Sequence, residues 1–334
     1  MVVEKLRQLG STDLSVSPIG LGLAALGRPG YINLDHAEDL NQNYDIDLMQ
    51  AHAVSVLDTA LKYGVRYFDV ARSYGLAEAF LSHWLKTHRL QPGDVSVGSK
   101  WGYTYTAGWQ VKASVHEVKD HSPRNLDKQW QESSDLLGEH LGLYQIHSAT
   151  LETGVLESLP VLKRLASLKT AGVYIGLSLS GPNQAEVLER AASVTLDGTR
   201  LFDAVQATFN ALEPSAGVAL SAASELGMGV IIKEALANGR LSERNTELDF
   251  APKLELLREQ SSRFGVGVDA LCLAYVLRYP WVDTVLSGAG TAVQLESNMD
   301  ALDVTLDQEA YLVLSQLCEE PEHYWRVRSG LKWN

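Results

Sequence analysis

Residues 66–75 of the chain read RYFDVARSYG, and the fold assignment works outward from this stretch. Its first five residues are mostly of the β-branched and aromatic types that form strands, and they include one acid, Asp69. A short polar loop follows and presents Tyr74 immediately before a glycine. A carboxylate and a phenol at the end of one strand indicate a site built on strand ends, where a buried charge needs partners.

Two later segments of the same kind end in residues that could supply those partners. Lys100 closes the strand-like run VSVGSK at residues 95–100, and His147 closes LYQIH at residues 143–147. Together with Asp69 and Tyr74, these are four titratable side chains at the ends of three successive predicted strands. We therefore expect one site that combines all four.

Short apolar segments and helical patterns alternate along most of the chain, which predicts a parallel sheet covered by helices. Eight such units point to a single domain over residues 1–334, a closed (β/α)8 TIM barrel with long loops at its C-terminal face. An open doubly wound sheet would usually carry a GxGxxG turn after its first strand, and Gly20, Gly22 and Gly27 lack that spacing. The predicted strands cover residues 19–25, 66–70, 95–99, 143–147, 173–177, 203–206, 228–232 and 283–286.

Several sequence features narrow the class of protein. Alternation around residues 10–13 predicts a small N-terminal β-hairpin. The chain of 334 residues has a net charge of −13, which argues against nucleic-acid and membrane partners. Without a signal-like N-terminus or an apolar run of about 18 residues, a cytoplasmic location is expected. Cys272 and Cys318 form no CxxC pattern and no metal-ligand spacing is evident, so no metal site is predicted.

The four titratable side chains suit the reduction of a carbonyl group. A free tyrosine has a pKa of about 10, and a neighbouring ammonium favours the phenolate and lowers that value. Tyr74 would then be a general acid tuned by Lys100, with Asp69 holding Lys100 charged and oriented. His147 could donate a hydrogen bond to the substrate oxygen and polarise the carbonyl. A donor and an acid at one oxygen fit reduction by hydride.

Several segments resemble the aldo-keto reductase family. FDVARSYG at residues 68–75 resembles the family pattern FDTAxxYG, and Lys100 and His147 fall where the family places its other two catalytic residues. The segments VSPIGLGLAALG, IGLS, FDAVQATFN, GVIIKEALANGRL and SGAGTAVQLESNMDAL resemble further family motifs in the same order. The resemblance implies a barrel that binds NADP(H) without a Rossmann domain. It also implies reduction of aldehydes, ketones or sugars, or oxidation of the corresponding alcohols.

The resemblance also implies which residues hold the cofactor, expected to be NADP, with NAD possible. They are Gly22, Leu23, Ser178, Gln206, Lys233, Leu236, Gly239, Gly288, Ala289, Gly290, Thr291, Gln294 and Asn298. Three positions depart from the family pattern: Lys233 replaces the tyrosine that stacks on nicotinamide, Leu179 replaces an asparagine, and Gly290 replaces an arginine that binds the 2′-phosphate. The loss of a bidentate guanidinium puts NADP preference in question.

Other readings stay open from the sequence. Trp101 and Tyr103 either line a substrate pocket or belong to a hydrophobic plug over the barrel mouth. A non-catalytic module that binds the nicotinamide cofactor and senses redox state would use the same fold. A lyase with Lys100 as a Schiff-base amine is a third possibility. The sequence indicates a small carbonyl or alcohol partner and leaves the substrate, the reaction direction and the oligomeric state open.

Overall fold

A computed structural model describes residues 6–334 and shows eight parallel strands closed into a barrel. Each strand pairs with its neighbours in chain order, and the last strand pairs with the first. The predicted (β/α)8 barrel is therefore confirmed. The strands are β1 (Ile19–Gly22), β2 (Tyr67–Asp69), β3 (Ser96–Trp101), β4 (Leu141–Ala149), β5 (Tyr174–Leu179), β6 (Ala204–Thr208), β7 (Gly229–Lys233) and β8 (Thr284–Ser287).

Helices pack outside the barrel and continue after the last strand. Within the described residues, those of eight or more residues are α1 (Ile46–Lys62), α2 (Ala77–Thr87), α3 (Pro123–Leu137), α4 (Leu159–Thr170), α5 (Gln184–Ser193), α6 (Gly217–Glu225), α7 (Ala251–Phe264), α8 (Val268–Leu277), α9 (Ala292–Met299), α10 (Gln308–Ser315) and α11 (Pro321–Ser329). The sequence pattern does not indicate α7, α10 and α11. In α7 only Leu254 and Leu257 are buried apolar residues, too few for a clear stripe.

The N-terminal β-hairpin is also confirmed, and it closes the end of the barrel opposite the strand C-termini. Arg7–Gln8 pairs with Ser15–Val16, and Leu9 at its turn is fully buried with Val16 against the barrel interior. The backbone N–H of Gly10 donates to Asp283, just before β8. Since this end is plugged, ligands must enter from the C-terminal face.

Long loops cover that C-terminal face. Residues 102–123, between β3 and α3, contain an antiparallel pair of short strands, Tyr103–Tyr105 and Glu117–Lys119. The tail after residue 319 contains α11, which buries Tyr324 and Trp325 against the body. Beyond it Trp333 stacks on His116, with ring centroids 4.0 Å apart. The barrel mouth is thus walled by loops and by the C-terminal segment.

Residues 6–334 contain no membrane-spanning helix, metal-ligand cluster or disulfide. No described helix is long and apolar enough to cross a membrane. No group of three or more His, Cys, Asp or Glu side chains in this range is placed to hold a metal ion. Cys272 is buried, Cys318 is exposed, and both are free thiols.

Candidate active site

A cavity of about 670 Å³ opens at the C-terminal ends of the strands. We distinguish two parts of it. The catalytic part is lined by Asp69, Tyr74, Tyr103 and His147. The α9 part is lined by Asp39, Arg244, Gly288, Ala289 and Gln294. Its volume lies in the range of small-molecule and cofactor sites in proteins.

A buried ion pair forms the base of the catalytic part. Asp69 ends β2 and Lys100 lies near the end of the adjacent β3, so their side chains meet and the Lys100 ammonium donates to Asp69. Lys100 also donates to the carbonyl of Val70 at 3.0 Å. The second carboxylate oxygen of Asp69 accepts from Gln206 at 2.8 Å and from Gln145 at 3.3 Å. Burial lowers the pKa of Lys100, and Asp69 opposes that decrease.

Tyr74 lies above this pair. The Lys100 nitrogen is 4.9 Å from the centroid of the Tyr74 ring, and the His147 ring meets it edge-on at 5.5 Å. The sequence predicted that Lys100 would lower the pKa of Tyr74, but that pKa lies well above 10. Burial and the negative charge of Asp69 raise it, whereas the positive charge of Arg28 lowers it. The phenol therefore remains protonated at neutral pH, which suits a proton donor.

A β-bulge places His147 in the cavity. The pairing of β4 with β5 shifts register between Ile146 and Ala149, and Ser148 within the shift has a φ of 53°. The Ser148 N–H donates to the hydroxyl of Ser178 at 2.8 Å, which fixes the bulge. Burial, followed by the charges of Lys100 and Arg28, lowers the pKa of His147 well below 6.5. The ring is neutral, and Nδ1 lies 3.4 Å from Ser73 Oγ, so Nε2 is the nitrogen that a ligand can reach.

The cavity brings together most, but not all, of the predicted site residues. Besides Asp69, Tyr74, Tyr103 and His147, the predicted residues that line it are Gly22, Gln206, Lys233, Leu236, Gly239, Gly288, Ala289, Gln294 and Asn298. The predicted residues that do not line it are Leu23, Lys100, Trp101, Ser178, Gly290 and Thr291. The fully buried Trp101 packs against His121, whereas Tyr103 packs on His147 at 5.0 Å and faces the cavity.

The α9 part combines a helix N-terminus with an acidic side chain. Thr291 caps α9 by accepting from the N–H of Gln294, and a Cβ on Gly288 would meet only the side-chain amide of Asn33, at 4.0 Å. Backbone amides here can be approached closely, as in phosphate sites at helix N-termini. However, a Cβ on Gly290 would lie 3.0 Å from an oxygen of Asp39. Asp39 therefore occupies the space that a longer side chain at position 290 would need.

Asp39 is held by two donors. Arg244 binds it through both terminal nitrogens, at 2.9 and 2.5 Å, and the Gln294 amide donates to it at 2.7 Å. The Asp39 side chain is only 5% exposed, whereas that of Arg244 is 32% exposed. A guanidinium is thus present near position 290, but it comes from a different loop and is already paired.

Between the two parts lies a cluster of charges around Lys233. Its ammonium donates to Thr208 at 2.7 Å and lies 3.7 Å from Glu234, and burial lowers its pKa to about 8. Glu234 has a φ of 55° and receives Arg328 at 2.6 Å. Burial would raise the pKa of Glu234, but Arg328 and Lys233 outweigh it and lower that pKa to about 2. An ion cluster thus stands where the family pattern has an aromatic ring.

Sequence reasoning missed a set of lining residues from the loops and the C-terminal segment. They are Arg28, Tyr31, Asp39, Glu117, Glu234, Arg244, Arg328 and Trp333. Long connections are usually functional, so the polar stretch 28–45, between β1 and α1, could have been marked as part of the site. No spacing in the sequence distinguishes these residues from other polar loop residues.

Comparisons with known proteins identify the family. The family model described as Aldo/keto reductase family matches residues 18–318. The chain belongs to the aldo/keto reductase family. It is accordingly an NAD(P)-dependent oxidoreductase, and the holo form of a structural neighbour supports a nicotinamide cofactor.

Other proteins, some of them with solved structures, resemble this aldo/keto reductase over nearly the whole chain. L-galactose dehydrogenase of Arabidopsis thaliana is 27% identical and the alignment covers 94% of each chain. NADH-specific methylglyoxal reductase of Escherichia coli is 23% identical, with 94% of this chain and 98% of the relative covered. An aldo-keto reductase from Bacillus halodurans in its holo form superposes with a TM-score of 0.70 at 26% identity, covering 95% of this chain and 97% of that one.

Proposed function

We propose that this enzyme reduces small polar carbonyl compounds or sugars, or oxidises the corresponding alcohols, with Tyr74 as the general acid or base. The observation that carries the proposal is the convergence of Tyr74, His147 and the buried Lys100–Asp69 pair on one cavity. A carbonyl oxygen placed between the Tyr74 hydroxyl and His147 Nε2 would receive a hydrogen bond and a proton. The names of the dehydrogenase and reductase relatives are consistent with this chemistry.

The residues present fit a nicotinamide dinucleotide. The exposed Gly288 backbone before the N-terminus of α9, crowded only by the Asn33 amide, suits a phosphate, and Gln206 and Asn298 offer amides along the cavity wall. When bound, the cofactor supplies or accepts the hydride. The chain's own contribution is to orient the carbonyl through His147, to hold the proton on Tyr74, and to keep Lys100 fixed through Asp69.

The α9 part favours NADH at least as much as NADPH. The family resemblance assigns the 2′-phosphate to position 290, where this chain has glycine beside the Asp39 carboxylate. A phosphate there would approach a buried negative charge, which costs binding energy unless the carboxylate moves. NADP was the expectation from the sequence, and on this geometry we infer that NADH is also a cofactor.

Replacement of Tyr74 by phenylalanine tests the proposed chemistry. Tyr74→Phe keeps the ring against His147 and removes only the hydroxyl, so NADH binding, followed by quenching of tryptophan fluorescence, should be unchanged. The kcat for reduction of a panel of small aldehydes and sugars should fall about 100- to 10,000-fold, the usual contribution of a general acid. Undiminished reduction by this variant would refute the assignment.

Cofactor binding, turnover and borohydride trapping separate the reductase from the redox sensor and the Schiff-base lyase. A redox sensor predicts tight cofactor binding with negligible turnover of every compound in the panel by the unmodified protein. A Schiff-base lyase would need access to Lys100, which is fully buried behind Tyr74 and paired with Asp69. That geometry disfavours the lyase, and the absence of an adduct after borohydride treatment would remove it.

A further inference from the structure

Arg28, on the loop after β1, is a buried cation next to Tyr74 that the proposed chemistry does not yet use. Only 2% of this residue is exposed, and its guanidinium carbon lies 5.2 Å from the centroid of the Tyr74 ring. That distance is close to the 4.9 Å between the same centroid and the Lys100 nitrogen. Two cations therefore lie at similar distances from the Tyr74 ring.

The guanidinium is held by aromatic faces and by the backbone before Tyr74. Its carbon lies 5.1 Å from the Tyr31 ring centroid and 4.7 Å from that of Trp333. One terminal nitrogen donates to the carbonyl of Ser73 at 2.9 Å and to Glu117 at 3.0 Å. Arg28 thus joins the loop that carries the proposed acid to the strand pair at residues 103–119 and to the C-terminal segment.

Backbone packing fixes this arrangement. A Cβ on Gly27 would overlap the carbonyl of Tyr74, and a Cβ on Gly75 would overlap the carbonyl of Gly27. The N–H of Leu76 donates to the Gly27 carbonyl at 2.7 Å. Because the two loops touch through glycine backbones, the backbone that carries Arg28 is packed directly against the backbone that carries Tyr74.

We propose that Arg28 is a positioning residue for Tyr74, clamping the phenol from the Ser73 side and placing a second positive charge beside it. This inference rests on the proposed function, since it gives Arg28 a role through Tyr74. The charge of Lys100 is neutralised by Asp69, which is buried with it. Glu117, the partner of Arg28, is 24% exposed, so solvent screens its negative charge more strongly. Arg28 is then the less compensated of the two cations.

Other groups also act on the Tyr74 hydroxyl. Burial and Asp69 raise its pKa, Arg28 lowers it, and Glu117 and Glu234 raise it. The neutral His147 ring packs on it, and the buried phenols of Tyr31 and Tyr67 also face it. Arg28 and Glu117 are bound to each other and have opposite effects on the pKa of Tyr74. Removing one charge at a time therefore gives a matched comparison.

The test is the NMR signal of the Tyr74 hydroxyl-bearing carbon in the variants Arg28→Met, Arg28→Lys and Glu117→Gln at neutral pH, where the phenol stays protonated. Tyrosine labelled with 13C at Cζ is used, and the signal that is missing from the Tyr74→Phe variant is assigned to Tyr74. Arg28→Met should move this signal, because a cation at this distance polarises the phenol. Glu117→Gln should move it in the opposite direction, and Arg28→Lys should restore most of the original position.

Kinetics gives a second readout. Arg28→Met should lower kcat for carbonyl reduction at least about 10-fold, as expected for a misplaced reacting group, with NADH affinity within a few-fold of the unmodified protein. The inference is overturned if Arg28→Met leaves the NMR signal of Tyr74 in place, or if it and Glu117→Gln shift that signal the same way. Because the NMR measurement needs no turnover, it decides the question even if the protein reduces no carbonyl compound and the proposed function fails.

Discussion

The catalytic part and the α9 part of the cavity are built differently. In the catalytic part, Asp69, Tyr74, Lys100 and His147 all agree with the family pattern; Asp69 and Lys100 bind each other, and Asp69 also accepts from Gln145 on β4 and Gln206 on β6. In the α9 part, the arginine of the pattern is absent, and a half-exposed arginine from another loop is paired with an aspartate. The residues of the proposed chemistry thus lie on strands or directly after a strand, whereas the residues of the α9 part come mostly from loops.

The largest effect is expected from breaking the buried pair of the catalytic part. Lys100→Met leaves Asp69 buried with only neutral donors, among them Gln145 and Gln206. Removal of one partner of a buried pair costs about 3–5 kcal/mol of the free energy of unfolding. We also expect kcat for carbonyl reduction to fall about 100-fold or more, because the support of the general acid is lost. Urea unfolding and steady-state kinetics measure the two effects.

A surface pair provides the control for that experiment. Arg190 pairs with Glu186 and Glu157, and all three side chains are about half exposed or more. Arg190→Met should leave both kcat and the unfolding midpoint nearly unchanged, because exposed pairs contribute little. Equal effects of Lys100→Met and Arg190→Met would contradict the distinction between a functional buried pair and a solvated one.

An intermediate effect is expected from removing the acidic group of the α9 part. Asp39→Ser takes away the carboxylate beside Gly290 and frees Arg244 for a phosphate. We expect NADPH to bind about 10-fold more tightly to this variant, roughly the gain of one charge-assisted hydrogen bond. NADH affinity should change much less. Tryptophan fluorescence titrations with both cofactors measure the difference.

The double variant Asp39→Ser/Arg244→Gln is the matched control for this change. It also removes the carboxylate, but it no longer offers a guanidinium to the phosphate. If the gain comes from Arg244, the double variant should lose most of it. A gain that persists would mean that removal of repulsion alone is responsible, and no gain in either variant would show that the 2′-phosphate does not approach this corner.

The contrast between the two parts also explains what the sequence could predict. Asp69, Lys100 and His147 lie on strands whose apolar pattern fixes the register, so their meeting follows from strand order in a closed barrel. Tyr74 follows Asp69 by a short loop and is placed with it. The barrel and the core of the catalytic part were therefore accessible to sequence reasoning.

The residues that sequence reasoning missed meet through tertiary contacts of loops. Asp39 and Arg244 are 205 residues apart, and Arg28 contacts Trp333 near the other end of the chain. No periodicity links such positions, because loop conformation depends on packing against the whole body. The direction of the Tyr74 pKa was also mispredicted, since the depth of burial, which outweighs the cation, is not visible in a sequence.

The smallest expected effect concerns Lys233, between the two parts. Its pKa of about 8 means that it is charged below pH 8 and loses its charge as the pH rises through that value. If it contributes to attracting the anionic cofactor, NADH affinity should decrease about 3- to 10-fold between pH 7 and pH 9, a loss of about 1 kcal/mol. Lys233→Met should bind NADH with the weaker affinity throughout and show no step near pH 8.

Lys253→Met is the comparison for that step. Lys253 pairs with Glu319 and is not among the described residues that line the cavity, so its removal should leave the step near pH 8 intact. His36 and His147 cannot produce the step, because burial keeps the pKa of each well below 7. A flat profile in the unmodified protein would mean that Lys233 acts only on Thr208 and Glu234. The ion cluster would then be a structural replacement for the aromatic ring and not a contact to the cofactor.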